Sequence, residues 1–231
     1  MVRRIAQLFK YDQKSDWDKK ALSYMKNCAN ILDAGCGVGR FISHDPARIT
    51  GLENNPANIE AAAGRGFKVK QGNIPSMPFE NESFDGIYSS HVIEHLTPED
   101  LHLTLREFDR VLKEGGLLII ATPLLWKHFY SDLTHIKPYN PAVLVHYLSG
   151  ETQRTQQVIS TDYDVLDLFW RRTPLPKMLS EDYGKNIFVR FLRIKGILFV
   201  IDGILYKTGL NFFTPKNGYM LVLRKEKKRS A

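Results

Sequence analysis

The chain has 231 residues, of which 43% are hydrophobic and 25% are charged, and its formal net charge is +7. This length and composition predict one globular domain that covers residues 1–231. The positive charge is concentrated near the C-terminus, because residues 224–229 hold five basic side chains and one acidic one. Residues 225–231 are therefore predicted to be a solvated basic tail rather than a nucleic-acid contact.

The sequence argues against a membrane-spanning or secreted protein. Four charges interrupt the most apolar segment, residues 187–206, and its longest central run without a charge is residues 196–201. A spanning helix needs about 20 apolar residues. The first fourteen residues lack the apolar core of a signal peptide. Cys28 and Cys36 do not form a CxxC pair, which argues against a disulfide framework and predicts a cytoplasmic protein.

Short apolar runs alternate with helical patterns through the first half of the chain. A helix is predicted over residues 16–27, and a second one follows the capping residue Thr97 and ends before Gly115 and Gly116. Five apolar runs read as buried parallel strands: residues 30–35, 48–53, 67–71, 84–90 and 116–122. Strands that alternate with helices predict an α/β fold, a doubly wound sheet with helices on both faces.

The second half of the chain has a looser pattern. A helix is predicted near residues 141–148, a strand near residues 156–162 and a final strand over residues 218–225, which brings the sheet to seven strands. Residues 165–215 are predicted to be an insertion of mixed helical and loop character before the last strand. The insertion is expected to pack over one end of the sheet, on the side of a substrate.

The sequence ILDAGCGVGRF, residues 31–41, places three glycines directly after an apolar strand. Gly35, Gly37 and Gly39 alternate behind Asp33, and the short stretch between Gly39 and the second strand predicts a brief helix. Glycine allows the backbone to approach a ligand closely, and the start of a helix presents free N–H groups. The GxGxG spacing differs from the GxGxxG of dinucleotide sites, and Asp33 would suit a ligand that carries an ammonium group. A tight turn without a ligand is the alternative interpretation.

Further polar residues follow the next predicted strands. Glu53 ends the second strand, where an acidic side chain can accept hydrogen bonds from both ribose hydroxyls of an adenosine ligand. Asn73 follows the third strand, and its side chain with the amide of Ile74 could bind the adenine edge. Ser90 ends the fourth strand at the carboxyl edge, where open α/β sheets bind ligands.

These segments resemble the successive motifs of class I S-adenosylmethionine-dependent methyltransferases. The resemblance covers residues 30–123 and is carried by DAGCGVG, GLENNP, the block QGNIPSMPFENESFDGIYSSHVIEHL and REFDRVLKEGGLLIIATP. It implies a seven-stranded Rossmann-like sheet and S-adenosylmethionine as cofactor. It also implies a cofactor site in which the turn binds the methionine part, Glu53 the ribose and Asn73 with Ile74 the adenine. The predicted cofactor-binding residues are Asp33, Gly35, Cys36, Gly37, Glu53, Asn54, Asn73, Ile74 and Ser90.

A competing motif lies in the same block. His91, Glu94 and His95 match HxxEH, a zinc-protease signature. His91 ends a predicted strand, however, and the only candidate for a third ligand in this interpretation is Glu107. The family has a similar segment without metal, so no metal is predicted.

Catalytic residues are predicted just after the fifth strand. Asp132 and His135 lie three residues apart in the segment DLTHIKPY, which resembles segments in methyltransferases that act on small molecules and cell-surface glycans. Asp132 could orient the imidazole of His135, which could take a proton near neutral pH. The alternative is that Asp132 caps a loop and His135 only packs.

The acceptor stays open at the level of sequence. We expect a methyltransferase that acts on a hydroxyl or acidic group of a small-molecule, glycan or lipid-linked acceptor. The aromatic side chains of the insertion could form an acceptor wall, contact a membrane surface or simply pack in a core: Phe169, Trp170, Tyr183, Phe188, Phe191, Phe199 and Tyr206. The alternatives are an RNA methyltransferase, against which the absence of a recognisable RNA-binding module argues, and a non-catalytic cofactor-binding domain. The oligomeric state is not predicted.

Overall fold

The computed structural model describes residues 13–150, 158–174, 178–179, 186–188, 191, 197–208, 210 and 214–226. The chain divides into two compact units. The larger unit comprises residues 18–169 and 219–231, and the smaller unit comprises residues 1–17 and 170–218. The prediction of a single domain over residues 1–231 stays a prediction.

A seven-stranded sheet forms the centre of the fold, with the strand order β3-β2-β1-β4-β5-β7-β6. Strands β1 to β5 pair in parallel along the chain of neighbours β3-β2-β1-β4-β5. The strands span Ile31–Ala34 (β1), Ile49–Glu53 (β2), Val69–Gln71 (β3), Phe84–Ser90 (β4), Leu112–Pro123 (β5), Tyr163–Arg172 (β6) and Lys216–Lys225 (β7). The predicted α/β fold is confirmed.

The strand order reverses between β1 and β4, because the chain runs from β1 outward to β3 and then returns to the other side of β1. Asp33 pairs with Gly51 of β2 on one side and with Tyr88 of β4 on the other. Ligands of open α/β sheets bind in the crevice beyond the carboxyl ends of the strands at such a reversal. This topology places the ends of β1, β2 and β4 at one edge.

Five α-helices are found among the described residues: Gln13–Tyr24 (α1), Pro56–Ala63 (α2), Pro98–Val111 (α3), Pro141–Ser149 (α4) and Ile197–Thr208 (α5). Each of α2, α3 and α4 begins with a proline behind a capping side chain, Asn55, Thr97 or Asn140. This combination fixes the first turn, because proline needs no N–H partner there and the cap oxygen accepts a free amide. The apolar stripe Leu101, Leu105 and Phe108 of α3 lies in the core together with Leu118 and Ile120 of β5.

Three sequence predictions differ from the structure. The strand predicted near residues 156–162 is wrong: residues 151–157 lie outside the described residues, residues 158–162 are not a strand, and β6 begins at Tyr163. Part of the predicted insertion, residues 165–172, is therefore strand. Residues 40–44 after the glycine turn form a turn and a short 3-10 helix instead of a brief α-helix. Helix α3 ends at Val111, because β5 already begins at Leu112.

The smaller unit joins the ends of β6 and β7 to α5. The guanidinium of Arg171 donates to Asn217 Oδ1 at 3.0 Å, and Lys216 Nζ lies 3.8 Å from the centre of the Trp170 ring. The predicted aromatic wall is only partly described: Phe188 and Phe191 are exposed, whereas Tyr183 and the side chain of Phe199 lie outside the described residues. Across the part of the chain that the structure describes, no helix combines the length and the apolar character that crossing a membrane requires.

Candidate active site

A cavity of about 550 Å³ lies at the carboxyl edge of the larger unit, beside the strand-order reversal. This volume lies within the range of small-molecule and cofactor sites. One set of lining residues consists of predicted cofactor residues: Gly35, Glu53, Asn54, Asn73 and Ile74. Another set follows β4 or belongs to the loop after β5: His91, Val92, His95, Leu96 and Thr134. The two sets are called the donor end and the acceptor end below, after the roles that the sequence predicts for these segments.

The glycine turn needs glycine for both its backbone conformation and its packing. Gly35, Gly37 and Gly39 have φ of +79°, +53° and +81°, which L side chains rarely adopt. A Cβ atom on Gly35 would lie 2.5 Å from Val92 Cγ2. The amides of Gly35 and Cys36 donate to the Leu52 carbonyl at 2.9 and 3.1 Å, which ties the turn to the end of β2.

Glu53 is held by backbone amides at the donor end. Its carboxylate accepts from the amide of Gly37 at 2.8 Å and from the amides of Asn54 and Asn55 at 3.0 and 2.9 Å. A carboxylate offers about four lone-pair sites, so the three amides leave one toward the cavity that Glu53 lines. A second lone pair of the Glu53 carboxylate would become available to a ligand if a ribose hydroxyl replaced the Gly37 amide as the hydrogen-bond donor.

The remaining donor-end residues were predicted in part. Asn73 and Ile74 line the cavity after β3 as expected, and the Ser76 amide closes a turn onto the Asn73 carbonyl at 3.1 Å. Asn55 and Asn58 also line the cavity and were missed by the sequence reasoning. Their signal is the cap: the side chain of Asn55 accepts the Ala57 amide and so begins α2, which places Asn58 at the opening.

Asp33 lies behind the cavity rather than on its wall, with only 4% of its surface exposed. Burial raises its pKa to about 8; the nearby carboxylates of Asp18 and Glu53 raise it as well, against the opposing charge of Arg40. Asp18 itself is buried and is paired with Arg40, and it accepts from Tyr88 Oη at 3.0 Å. An ammonium group beside Asp33 would favour its ionised form, which fits the predicted ligand.

Three predicted cofactor residues, Cys36, Gly37 and Ser90, do not line the cavity. Cys36 is a buried free cysteine, and its Sγ fills the space where a Cβ on Gly51 would lie, 2.5 Å away. Gly37 contributes its amide to Glu53, and Ser90 ends β4 half-buried, paired with Ala121. Their roles as cofactor contacts stay predictions.

At the acceptor end, His91 and Glu94 stabilise a strained turn. His91 has φ of +59°, an uncommon value for a residue with a side chain, and its amide donates to the Ala121 carbonyl at 2.8 Å. Its Nδ1 lies 3.2 Å from Oε1 of the fully buried Glu94, whose Oε2 accepts from Thr122 Oγ1 at 2.9 Å. Burial would raise the pKa of Glu94, but the contacts with His91, its own backbone amide and Thr122 hold it below its ordinary value.

His95 and His135 come together although they are far apart in sequence. Their ring centres are 4.9 Å apart. Nδ1 of His135 lies 2.7 Å from the Phe129 carbonyl, and Nδ1 of His95 lies 3.0 Å from the Thr134 carbonyl. A carbonyl oxygen only accepts hydrogen bonds, so Nδ1 carries a proton in both rings, and in the neutral form of each ring Nε2 presents the lone pair. The pairing of these two rings was not predicted.

Asp132 does not hold the imidazole in the manner expected. Its Oδ1 accepts from the amide and the hydroxyl of Thr134 at 2.9 and 2.7 Å, contacts that hold the pKa of Asp132 below its usual range. Its Oδ2 lies 3.9 Å from Nε2 of His135, and the side chain is 53% exposed. The hydrogen bond that orients the His135 ring joins its Nδ1 to the Phe129 carbonyl. The predicted catalytic role of Asp132 therefore stays a prediction.

The zinc-protease interpretation of HxxEH does not match the contacts in this region. Glu107, its candidate third ligand, accepts the Met77 amide at 2.6 Å and pairs with Arg110 at 2.7 Å. His91 faces the buried Glu94 through Nδ1 and sits in a turn rather than on a helix.

Residues 32–120 match the model of the family described as a methyltransferase domain. The chain is similar to ajmaline N-methyltransferase of Rauvolfia serpentina, with 30% identity over 197 residues, which are 78% of this chain and 63% of that protein. It is also similar to probable tRNA methyltransferase 9B of Bos taurus, with 29% identity over 154 residues, 63% of this chain and 34% of that protein. The chain thus spans less than two thirds of either relative.

The fold is shared with solved structures of the same class. A SAM-dependent methyltransferase from Archaeoglobus fulgidus superposes with a TM-score of 0.59 at 23% identity, and the alignment covers 90% of each chain. The match of residues 32–120, the strand order and the resemblance of the motifs agree. Residues 32–120 thus form a methyltransferase domain of the class I S-adenosylmethionine-dependent type, a family whose cofactor is S-adenosylmethionine.

Proposed function

We propose that this protein transfers a methyl group from S-adenosylmethionine to a hydroxyl or acidic group of a small metabolite, glycan or lipid-linked intermediate. The observation that carries the proposal is the two-ended cavity at the carboxyl edge. Its donor end has the carboxylate of Glu53 and the backbone of Gly35. Its acceptor end has the imidazole of His95, and the ring centre of His135 lies 4.9 Å from that of His95.

The donor-end residues fit the cofactor. Gly35 lines the cavity with its backbone alone, so a ligand could approach the turn closely there. Glu53 would accept from a ribose hydroxyl, Asn73 and Ile74 would bind the adenine, and Asp33 would balance the ammonium charge. When bound, S-adenosylmethionine supplies an electrophilic methyl group on a sulfonium sulfur.

His135 is proposed as the proton acceptor when the substrate group is a hydroxyl. The hydroxyl proton would move to Nε2 of His135 as the hydroxyl oxygen takes the methyl group. Bound S-adenosylmethionine would supply that methyl group, and its sulfur would keep the electron pair of the broken carbon–sulfur bond. The Phe129 carbonyl holds Nδ1–H, so the lone pair of Nε2 stays available. An acidic acceptor group is already ionised and needs no base. In either case the protein's main task is alignment.

Titration calorimetry with S-adenosylmethionine and S-adenosylhomocysteine tests the donor half. We expect saturable binding that Glu53→Ala weakens by about 1–3 kcal/mol. Glu60→Ala is the matched control, because Glu60 is an exposed residue of the adjacent helix α2. A folded wild-type protein that binds neither ligand would overturn the proposal.

The acceptor half is tested with methyl-labelled cofactor. The labelled cofactor is incubated with sets of hydroxyl-bearing metabolites, glycans, lipid extracts and transfer RNA, and the products are separated by mass. We expect label in a small molecule, a glycan or a lipid-linked compound, and loss of the product in His135→Ala. Label found only in RNA would favour an RNA methyltransferase, and cofactor binding without any labelled product would favour a regulatory domain.

A further inference from the structure

Glu94, His95 and His135 form a cluster, and His95 of this cluster lines the acceptor end of the cavity. Each residue offers one ligand atom, and the three atoms all lie within 4.8 Å of one another. Glu94 is fully buried, and the two histidines are half-buried. Oε1 of Glu94 is a buried oxygen that lies 3.2 Å from Nδ1 of His91.

The surroundings of both imidazoles are those of metal ligands. A histidine that binds a metal through one nitrogen usually donates its other N–H to a carbonyl or carboxylate, which fixes the tautomer and the ring orientation. His95 donates to the Thr134 carbonyl and His135 to the Phe129 carbonyl. The two rings are thus fixed by the main chain of one loop, residues 129–134, and each keeps an Nε2 lone pair.

We propose that Glu94, His95 and His135 bind one divalent transition-metal cation at the acceptor end of the cavity. Two imidazoles and one carboxylate are a ligand set that suits zinc, manganese or iron in the divalent state and leaves coordination positions open. Ligand bonds of about 2.0–2.2 Å put tetrahedral ligands roughly 3.4 Å apart, so the cation would draw the three side chains closer together. The open positions would face the cavity that His95 lines.

The catalytic consequence rests on the proposed function. A cation lowers the pKa of a coordinated hydroxyl group, so a bound substrate hydroxyl would lose its proton to water before it accepts the methyl group. His135 would then act as a ligand, and its role as a proton acceptor would apply only to the metal-free protein. Such a cation would select acceptors whose oxygens can coordinate it, vicinal hydroxyl pairs in particular.

Titration of the full chain with Zn²⁺, Mn²⁺ and Mg²⁺, after treatment with a chelator, tests the site. We expect one equivalent of Zn²⁺ to bind more tightly than Mg²⁺, and the variants His95→Ala and His135→Ala to weaken Zn²⁺ binding at least tenfold. His102→Ala is the matched control, because His102 lies on α3 against Tyr147, outside the cluster. The absorption spectrum of bound Co²⁺ reports nitrogen and oxygen coordination without any need for activity.

Binding of S-adenosylmethionine, measured on the same samples, shows whether each variant is folded and separates this proposal from the proposed function. Variants that bind the cofactor normally but have lost Zn²⁺ support the site. Cofactor binding without Zn²⁺ binding by the wild type overturns the metal site and leaves the methyltransferase proposal standing. Equal Zn²⁺ binding by His102→Ala and His135→Ala also overturns it.

Discussion

The two ends of the cavity are built by different means. At the donor end, the hydrogen bonds join neighbours within short motifs: Glu53 accepts from Asn54 and Asn55, the next two residues, and from the glycine turn of the adjacent strand. At the acceptor end, the contacts join distant segments: His95 meets Thr134 and His135 across about 40 residues. Short motifs therefore suffice to form the donor end. The acceptor end, in contrast, depends on how the loops fold over the sheet.

Substitution at Gly35 is expected to break the donor end most severely. Gly35→Ala forces an L side chain into a positive φ and places Cβ against Val92, at a combined cost of about 2–5 kcal/mol. Urea unfolding and cofactor titration should both show the loss. The control is Gly66→Ala, where φ is +77° but nothing lies within 4 Å of the added Cβ. Equal destabilisation by the two variants would contradict the packing argument.

The fold was predictable wherever a strand is buried on both faces. Strands β1, β2, β4 and β5 are mostly buried, and the sequence predicts each of them from its apolar residues. Strand β6 was missed because it lies at the edge of the sheet, where Asp164, Asp167 and Arg171 are tolerated among half-buried residues. Its sequence therefore lacks the apolar run that marks a buried strand.

The candidate site was predictable to a similar degree. The motifs predict Glu53 and Asn73, and both line the cavity, because ligands of open α/β sheets bind beyond the ends of the strands. The partner of His135 could not be read from the sequence, since the loop that brings it to His95 has no repeating pattern. Asp132 was a natural candidate at a spacing of three residues, but the carbonyl of Phe129 makes the orienting contact, and a backbone atom leaves no signal in the sequence.

The affinity for S-adenosylmethionine is expected to depend on pH through the carboxyl group of Asp33. Because its pKa in the free protein is raised to about 8, Asp33 is largely protonated at pH 6 and must release a proton when an ammonium group binds. Affinity should fall roughly tenfold for each pH unit below 8, which is about 1.4 kcal/mol per unit. Calorimetry at pH 6, 7 and 8 measures this slope.

The variant Asp33→Asn isolates the effect from other groups that titrate in this range. It is expected to bind more weakly at pH 8 and to lose most of the slope. A wild-type affinity that is constant between pH 6 and 8 would show that Asp33 is already ionised or does not meet the ammonium group.

Removal of the charge of Glu94 is expected to destabilise the acceptor end and to leave the donor end unchanged. Glu94→Gln should lower the free energy of unfolding by ~2 kcal/mol, since the contacts with His91 and Thr122 lose a buried carboxylate. The pKa of Glu94 is lowered in the folded protein, so its stabilisation is present above the unfolded pKa and is lost as the pH falls through the folded value. The difference between wild type and variant should therefore shrink in acid.

Chemical unfolding at neutral and acidic pH, with a chelator present, measures this difference. The exposed Glu114→Gln serves as the control and should change stability little. A Glu94→Gln variant as stable as the wild type at neutral pH would mean that the buried carboxylate does not stabilise the turn of His91.

The smallest effect is expected at Asp132, and it decides which group orients His135. Asp132→Asn keeps the oxygen that accepts from Thr134, and the side chain is 53% exposed, so stability should change little. If the Phe129 carbonyl alone holds the imidazole, methyl transfer to the acceptor found by labelling should fall less than tenfold. His135→Ala should fall about a hundredfold or more. An Asp132→Asn loss as large as that of His135→Ala would restore Asp132 as the orienting group, and the acceptor end would then depend on its side chains as the donor end depends on Glu53.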